Sequence, residues 1–471
     1  MIPFAELVLP AIRWDLEHGY AKLMPDVERW LALGVGGFIL FGGEREAMRT
    51  LVRQLQAAAA HPLLIASDLE RGAGQQARGL TGLPPLRGLA ELGVDAVREA
   101  ARLTAREARD VGINWVFAPV VDLDAEATNP IVQTRSFGDD PEAVAEMGAA
   151  WVMACQAGGV LACAKHFPGH GRTLSDSHAG LPVVSSSRLA LDADLLPFRR
   201  AVEAGVASVM TAHVAFPALD PSGSPATYSA PIVSALLRRQ LGFEGLVVTD
   251  ALVMEGALQG LDETQGAVRA LAAGCDLLLY PGDAAAVARA LEKAGASGTL
   301  EVERLEEAAT HRRDALERVA EPMPLDCEEL EEGRACGAEL GRAAVRLLRG
   351  ALPPAPRRVR VEIVDDDAGG PYPMPPRSAF AEALRERGIE VADDGVPVAL
   401  VFCDVKSWKC RAGLSDENRA RLAALAREAA AVVLFGHSRR LADVPGGCPV
   451  LCAWSGDVVM QRAAAGRLAT G

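Results

Sequence analysis

Residues 165–178 read KHFPGHGRTLSDSH, and they hold three of the eight histidines in a chain of 471 residues. His166 and His170 are four apart, the spacing at which two imidazoles on one helix would share a metal. Pro168 and Gly169 stand between them, however, and forbid a regular helix there. Asp176 and His178 are two apart in a Gly/Ser/Thr/Asp-rich loop. In an extended stretch such residues lie on one side, so the carboxylate can accept the imidazole N–H and fix its tautomer and orientation. That pair is a candidate proton-transfer unit. The plain alternative is an Asp capping loop amides beside an exposed His. A second reactive candidate, Asp250, closes the apolar run LVVT in GLVVTDALVMEGA. An ionised carboxylate there is expensive to bury unless it is paired or held for reaction. Glycoside hydrolysis needs a nucleophile and an acid/base flanking one bond, and Asp250 and His178 could fill those posts. Lys165 and His166 would then donate to sugar hydroxyls, and Asp68 would accept from a vicinal pair.

Such residues must be placed by a scaffold. Eight short apolar runs punctuate the first 285 residues: 7–14, 36–42, 63–68, 113–122, 161–167, 208–214, 246–252 and 275–281. Helix-like stretches such as 45–60, 94–112 and 141–158 lie between them. Near-continuous apolar strands alternating with helices imply parallel strands buried on both faces. Eight units in series predict a (β/α)8 barrel, with a doubly wound open sheet as the alternative. Asp68, Asp122, Lys165, His166, His213 and Asp250 all fall at or just past the ends of these strands, where a barrel carries its chemistry.

The predicted domain plan is a barrel over 1–320, a helical linker over 321–357 ending in the stiff ALPPAPRR, and a smaller α/β domain over 358–471. The last domain is expected to be a parallel sheet with helices, from the runs VRVEIV, VALVFCDV, AAVVLFGH and PVLCAW. A net charge of −14 argues against nucleic-acid or anionic-membrane partners. The N-terminus has no basic segment before its apolar start, and no run is long enough to span a bilayer. Nine cysteines are scattered without a CxxC pair, the usage expected of reduced thiols in the cytoplasm. Oligomeric state is not readable.

Taken together, KHFPGHG…DSHAGLP closely resembles the signature of family 3 glycoside hydrolases, in their β-N-acetylglucosaminidase branch. GGFILFGG, SDLERGAGQ, FAPVVDL…NPIVQTRSFGDDP, VMTAHVAFPALD, FEGLVVTDALVMEGA and AAGCDLLLYPGD match the same family in order, over about residues 1–320. The resemblance implies a (β/α)8-like barrel and a carbohydrate substrate. It implies retaining hydrolysis of a terminal, non-reducing β-linked N-acetylglucosamine through a covalent glycosyl-enzyme. Asp250 would be the nucleophile, and His178 the acid/base oriented by Asp176. Asp68, Arg135, Lys165 and His166 would bind the sugar, and no metal or organic cofactor is implied. Cytosolic bacterial members trim sugar from cell-wall muropeptides during recycling.

Two positions depart from the family pattern. Gln76 stands eight residues after Asp68, where the family has Arg, and Arg78 lies two further on; Gln76 and the strand-end His213 complete the candidate sugar-contacting set. Arg172 stands where many relatives have Asp, and is read as a solvated loop residue in preference to one that attracts an anionic aglycone. His437, ending AVVLFGH, is read as an ordinary strand-end residue. Three other functions remain open: an N-acetylglucosaminide phosphorylase, a metal-dependent hydrolase using Lys165, His166, His170, His178, His213 and Asp250, and a sugar-binding protein without chemistry.

Overall fold

The computed structural model describes residues 4–258, 260–369, 374–406 and 409–470. Every one of the eight apolar runs contains a strand. The first run is split by Pro10, which has no N–H to give a ladder, into β1 (Val8–Leu9) and β2 (Ala11–Arg13). Then come β3 (Gly37–Phe41), β4 (Leu64–Ser67), β5 (Trp115–Val116), β6 (Leu161–Phe167), β7 (Ser208–Thr211), β8 (Leu246–Thr249) and β9 (Leu278–Leu279). Strands β2 to β8 pair in chain order, all parallel. The sheet curls back on itself. Leu277 bonds to Val247 and Thr249 beside β8, while β9 pairs in parallel with β1. The ring therefore closes, and the open-sheet alternative falls.

Closure brings the carboxyl ends of all the strands to one rim. Asp68 follows β4, Lys165 and His166 lie in β6, and Asp250 follows β8. β5 is only two residues long because Pro119 interrupts the run 113–122, yet the chain still runs beside β6 through the Val120–Lys165 bridge to deliver Asp122 to the same rim. The opposite end is sealed by buried ion pairs. Arg312 reaches Glu6 and the carbonyls of Gly36 and Pro62, and Asp276 is ringed by Arg238, Arg304 and His311.

The second sheet is mixed, not wholly parallel. β10 (Arg346–Arg349), β11 (Arg358–Asp365), β12 (Glu390–Val391), β13 (Val396–Phe402), β14 (Ala431–Phe435) and β15 (Val450–Cys452) take the order β10-β15-β14-β13-β11-β12. β10 is the antiparallel edge strand, formed by RLLR, which reads as the tail of a helix in the sequence. Two apolar clusters flank the sheet, one centred on Phe380, Phe402, Phe435 and Trp454 and the other on Val401, Leu422 and Leu434. The expected helical linker is a packed spacer. Its helix, Cys327–Ala344, carries Gly333, Gly337 and Gly341 one turn apart. A Cβ on Gly337 would lie 2.4 Å from the Thr81 methyl of the barrel, and one on Gly341 would lie 3.2 Å from Val459 of the second domain. Among the described residues, no helix is long and apolar enough to cross a membrane.

Candidate active site

Asp250 is set by the end of β8, and its Oδ1 accepts the N–H of Ala251 at 2.7 Å. Burial alone would push its carboxyl up. The neighbouring imidazoles of His166, His213 and His178, with the Ala251 amide, outweigh burial and hold it below the usual carboxylate range. Asp250 is therefore ionised at neutral pH, the state a nucleophile needs. His178 lies in the loop after β6. Asp176 Oδ1 accepts both its backbone N–H at 2.8 Å and its Nδ1–H at 2.7 Å. Asp176 is buried while the His178 side chain is 41% exposed. A buried carboxylate gripping Nδ1 leaves Nε2 as the nitrogen free to exchange a proton. The loop that carries Asp176 and His178 is tied to the segment that carries Asp250: Gly256 N–H donates to Ser177 O at 2.9 Å, and a Cβ on Gly256 would lie 2.8 Å from that oxygen.

Beside this pair runs a charge ladder. Lys165 Nζ reaches Asp68 Oδ1 at 2.6 Å and Glu70 Oε1 at 2.8 Å. Glu70 in turn takes two hydrogen bonds from Arg135, at 2.9 and 2.7 Å. Glu70 is buried, which raises its pKa, but Arg135 and Lys165 bring it well below the ordinary range. Glu70, Lys165 and Arg135 are all shifted toward their charged forms, and the ladder presents a fixed set of donors and acceptors, as hydroxyl recognition requires. Glu70 is absent from the sequence-based set. The signal was its position two after Asp68, which in a strand-like continuation lies on the same side.

His166 completes the rim. Its Nδ1 and its backbone N–H both engage Asp122, which also accepts the His170 N–H at 2.6 Å. His170 is spent on the loop: Nδ1 meets Thr173 Oγ1 at 2.8 Å and Nε2 meets Ser177 Oγ at 3.0 Å. Burial, with His166 beside it, lowers its pKa to about 4, so it is neutral. His213 is buried beside the segment that follows Asp250. Its Nε2 donates to Ala251 O at 3.1 Å, so its Nδ1 accepts from the Thr227 hydroxyl at 2.8 Å. Both ring nitrogens of His213 are thus engaged by the protein, on Ala251 O and the Thr227 hydroxyl. Gln76 likewise spends its amide oxygen on the Gly42 N–H at 2.9 Å, holding the turn after β3, and Arg78 pairs with Glu44 at 2.5 Å. The metal-dependent alternative asks His170 and His213 for nitrogens that are already engaged. Among the described residues no group of three or more His, Cys, Asp or Glu is arranged to hold a metal.

Arg172 is not a solvated loop residue. Its Nε donates to Asp194 Oδ2 at 2.6 Å, which pins the loop after β6 to the helix Arg188–Glu203. Burial raises the Asp194 carboxyl to about 6, against the pull of Arg172. The native state therefore binds this proton more tightly than the unfolded chain, whose Asp titrates near about 3.9. The stabilisation is whole below the unfolded value and is lost as pH rises through the folded one. Between about pH 4.5 and about pH 7.5 the wild type should lose about 2 kcal/mol relative to Asp194→Asn. Urea unfolding of both proteins across that range checks this, and parallel stability curves would sink it.

His437 is more than a strand end. Its Nε2 stands 3.0 Å from Asp124 Oδ2, and Arg439 reaches the same carboxylate at 2.6 Å. Both come from the second domain, and Asp124 lies two residues from Asp122. Burial raises the Asp124 pKa, and His437 and Arg439 overcome it to give a net lowering.

An ionised carboxylate and an oriented imidazole on the rim of a barrel are the equipment of glycoside-bond cleavage. Residues 10–313 match the glycosyl hydrolase family 3 N-terminal domain, and the chain belongs to that family. It is 39% identical over 289 residues to the β-N-acetylglucosaminidase/β-glucosidase of Cellulomonas fimi, a stretch covering 59% of this chain and 51% of that enzyme. It is 40% identical over 259 residues to the β-hexosaminidase of Thiobacillus denitrificans, covering 52% of this chain and 71% of that one. The chain thus spans about half the length of the first relative. A family 3 β-N-acetylglucosaminidase from Paenibacillus sp. strain FPU-7 has the same architecture, with a TM-score of 0.86 at 28% identity over 99% of this chain and 96% of that one. The likeness therefore takes in the second domain as well as the barrel.

Proposed function

We propose that the protein is a retaining, exo-acting β-N-acetylglucosaminidase that removes terminal, non-reducing β-linked N-acetylglucosamine, acting on cell-wall muropeptides in the cytoplasm. The observation that carries the reaction type is the pair formed by ionised Asp250 and an Asp176-oriented His178. Asp250 attacks the anomeric carbon as His178 Nε2 gives its proton to the departing oxygen, and a glycosyl ester forms. The neutral imidazole then takes a proton from water, whose oxygen attacks the same carbon and releases the carboxylate. The sugar is held by Asp68, Lys165, His166 and Arg135, with Glu70 between the last two cations of the ladder. The N-acetyl preference rests on the named activities of the relatives.

The test is nitrophenol release from a paired N-acetylglucosaminide and glucoside, each with and without phosphate. Strong preference for the N-acetyl sugar, with free sugar as product and no phosphate dependence, supports the reading. A sugar 1-phosphate product would overturn hydrolysis in favour of phosphorolysis. Inactivity on both glycosides would overturn the substrate assignment.

A further inference from the structure

The charge ladder belongs to the barrel, but two of its members, Glu70 and Arg135, sit on loops that the second domain grips. Glu70 precedes Arg71, and Arg135 follows Thr134. Both neighbours reach one carboxylate, Asp404, just past the end of β13 and 3% exposed. Asp404 Oδ1 accepts the Thr134 hydroxyl at 2.7 Å and the Val405 N–H at 2.9 Å. Asp404 Oδ2 lies 3.6 Å from Arg71 Nη1, which also pairs with Asp457 at 3.0 Å. The chain of contacts is a closed circuit: Glu70 is bonded to Arg71, Arg71 meets Asp404, Asp404 holds Thr134, Thr134 is bonded to Arg135, and Arg135 forks back onto Glu70.

We propose that Asp404 is a positioning residue for sugar binding, acting from the second domain to hold the Glu70 and Arg135 loops at the separation their two-pronged ion pair requires. A forked Arg–carboxylate pair demands planar alignment, so a shift of either loop loosens the pair and the ligand set built on it. Asp404 is itself anchored by its backbone N–H, which donates to Asp367 Oδ2 at 3.2 Å. Its fixed position comes from the sheet of the second domain, so the barrel's sugar ligands are referenced to that sheet.

The kinetic arm of the test rests on the function proposed above. Thr134→Val keeps the side chain's shape and deletes the donor, Thr134→Ser restores it, and Asp404→Asn removes the charge facing Arg71. Arg346→Ala cuts a different interdomain pair, with Glu91 at 3.1 Å, and serves as the interface control. With active sites counted, Thr134→Val and Asp404→Asn should raise KM for nitrophenyl N-acetylglucosaminide by about tenfold, with kcat within about threefold. Thr134→Ser and Arg346→Ala should stay near wild type. A merely structural role would lower the active fraction at unchanged KM. The second arm is independent of substrate: the amides of Arg71, Arg135 and Ser136, each hydrogen-bonded within its own loop, should exchange faster in Thr134→Val and Asp404→Asn. Unchanged exchange, or lower kcat at constant KM, overturns the proposal. If the wild type leaves N-acetylglucosaminides untouched, the functional reading fails and the exchange arm alone decides on Asp404.

Discussion

Asp250→Asn is expected to lower turnover of an aryl N-acetylglucosaminide by about ten-thousand-fold or more, because an amide cannot form the ester on which the retaining route depends. The substitution is nearly isosteric, and the Asn carbonyl oxygen can still accept the Ala251 N–H that Asp250 accepts now. The fold and the sugar ladder, which are built from other residues, stay in place. The loss should therefore fall on kcat, with KM little changed. Intact-protein mass after mixing with a glycoside of fast leaving group separates the cases: the wild type accumulates a glycosyl adduct and the variant does not. Residual activity above about a hundredth of wild type would place the covalent bond on another residue. The acid limb of the wild-type kcat/KM profile should not come from Asp250, whose carboxyl is held below the ordinary range by the imidazoles around it.

The barrel was legible because its strands are buried on both faces. LLIAS or LVVT must then be apolar throughout, and eight such runs alternating with helices leave few architectures open. Where expectation and structure part, a local signal was overridden by packing. RLLR follows a helix made of good helix formers, yet it pairs with β15 as an antiparallel edge strand, where Leu348 packs against both apolar clusters and Arg349 donates to the carbonyls of Cys448 and Val444 while Leu347 stays exposed. The glycine-spaced helix Cys327–Ala344 reads as a linker from its charge. Only the close approach of Thr81 and Val459 shows it to be a spacer between two domains.

The site was half legible. Asp250, Asp176 and His178 stand out in the sequence as candidates through type and spacing, and the structure seats Asp250 at the end of β8 and Asp176 on the His178 ring. Glu70 carries only one local signal, its place two after Asp68; its ion pairs are with Lys165 and Arg135, 95 and 65 residues away. Arg172 misled for the same reason. Its partner, Asp194, lies on the next helix, and burial of that carboxylate is a property of the fold. The long-range grips of Asp404 on Thr134 and of Arg439 on Asp124 are further still from anything a window of sequence can contain. These two contacts, 270 and 315 residues apart in the chain, form only when the second domain is docked on the barrel.

His178→Ala should lower kcat/KM by about a hundred- to ten-thousand-fold for glycosides with poor leaving groups. Because kcat/KM reports steps only up to the first irreversible one, the loss should shrink as the leaving group becomes more acidic and needs no proton. kcat should stay depressed even for the best leaving group, since water attack on the glycosyl-enzyme still lacks its base. The variant should then show a rapid burst of nitrophenol followed by slow turnover. Structure permits a clean reading. The His178 side chain is 41% exposed, so its removal opens no core cavity, and the backbone N–H that Asp176 accepts survives in alanine. Asp176→Asn keeps the imidazole but removes the charge that holds Nδ1–H, and it should show the same leaving-group trend with a smaller loss. If His178→Ala is equally crippled on every leaving group, the proton is delivered by another residue. In that case the Asp176–His178 pair serves only to shape the loop.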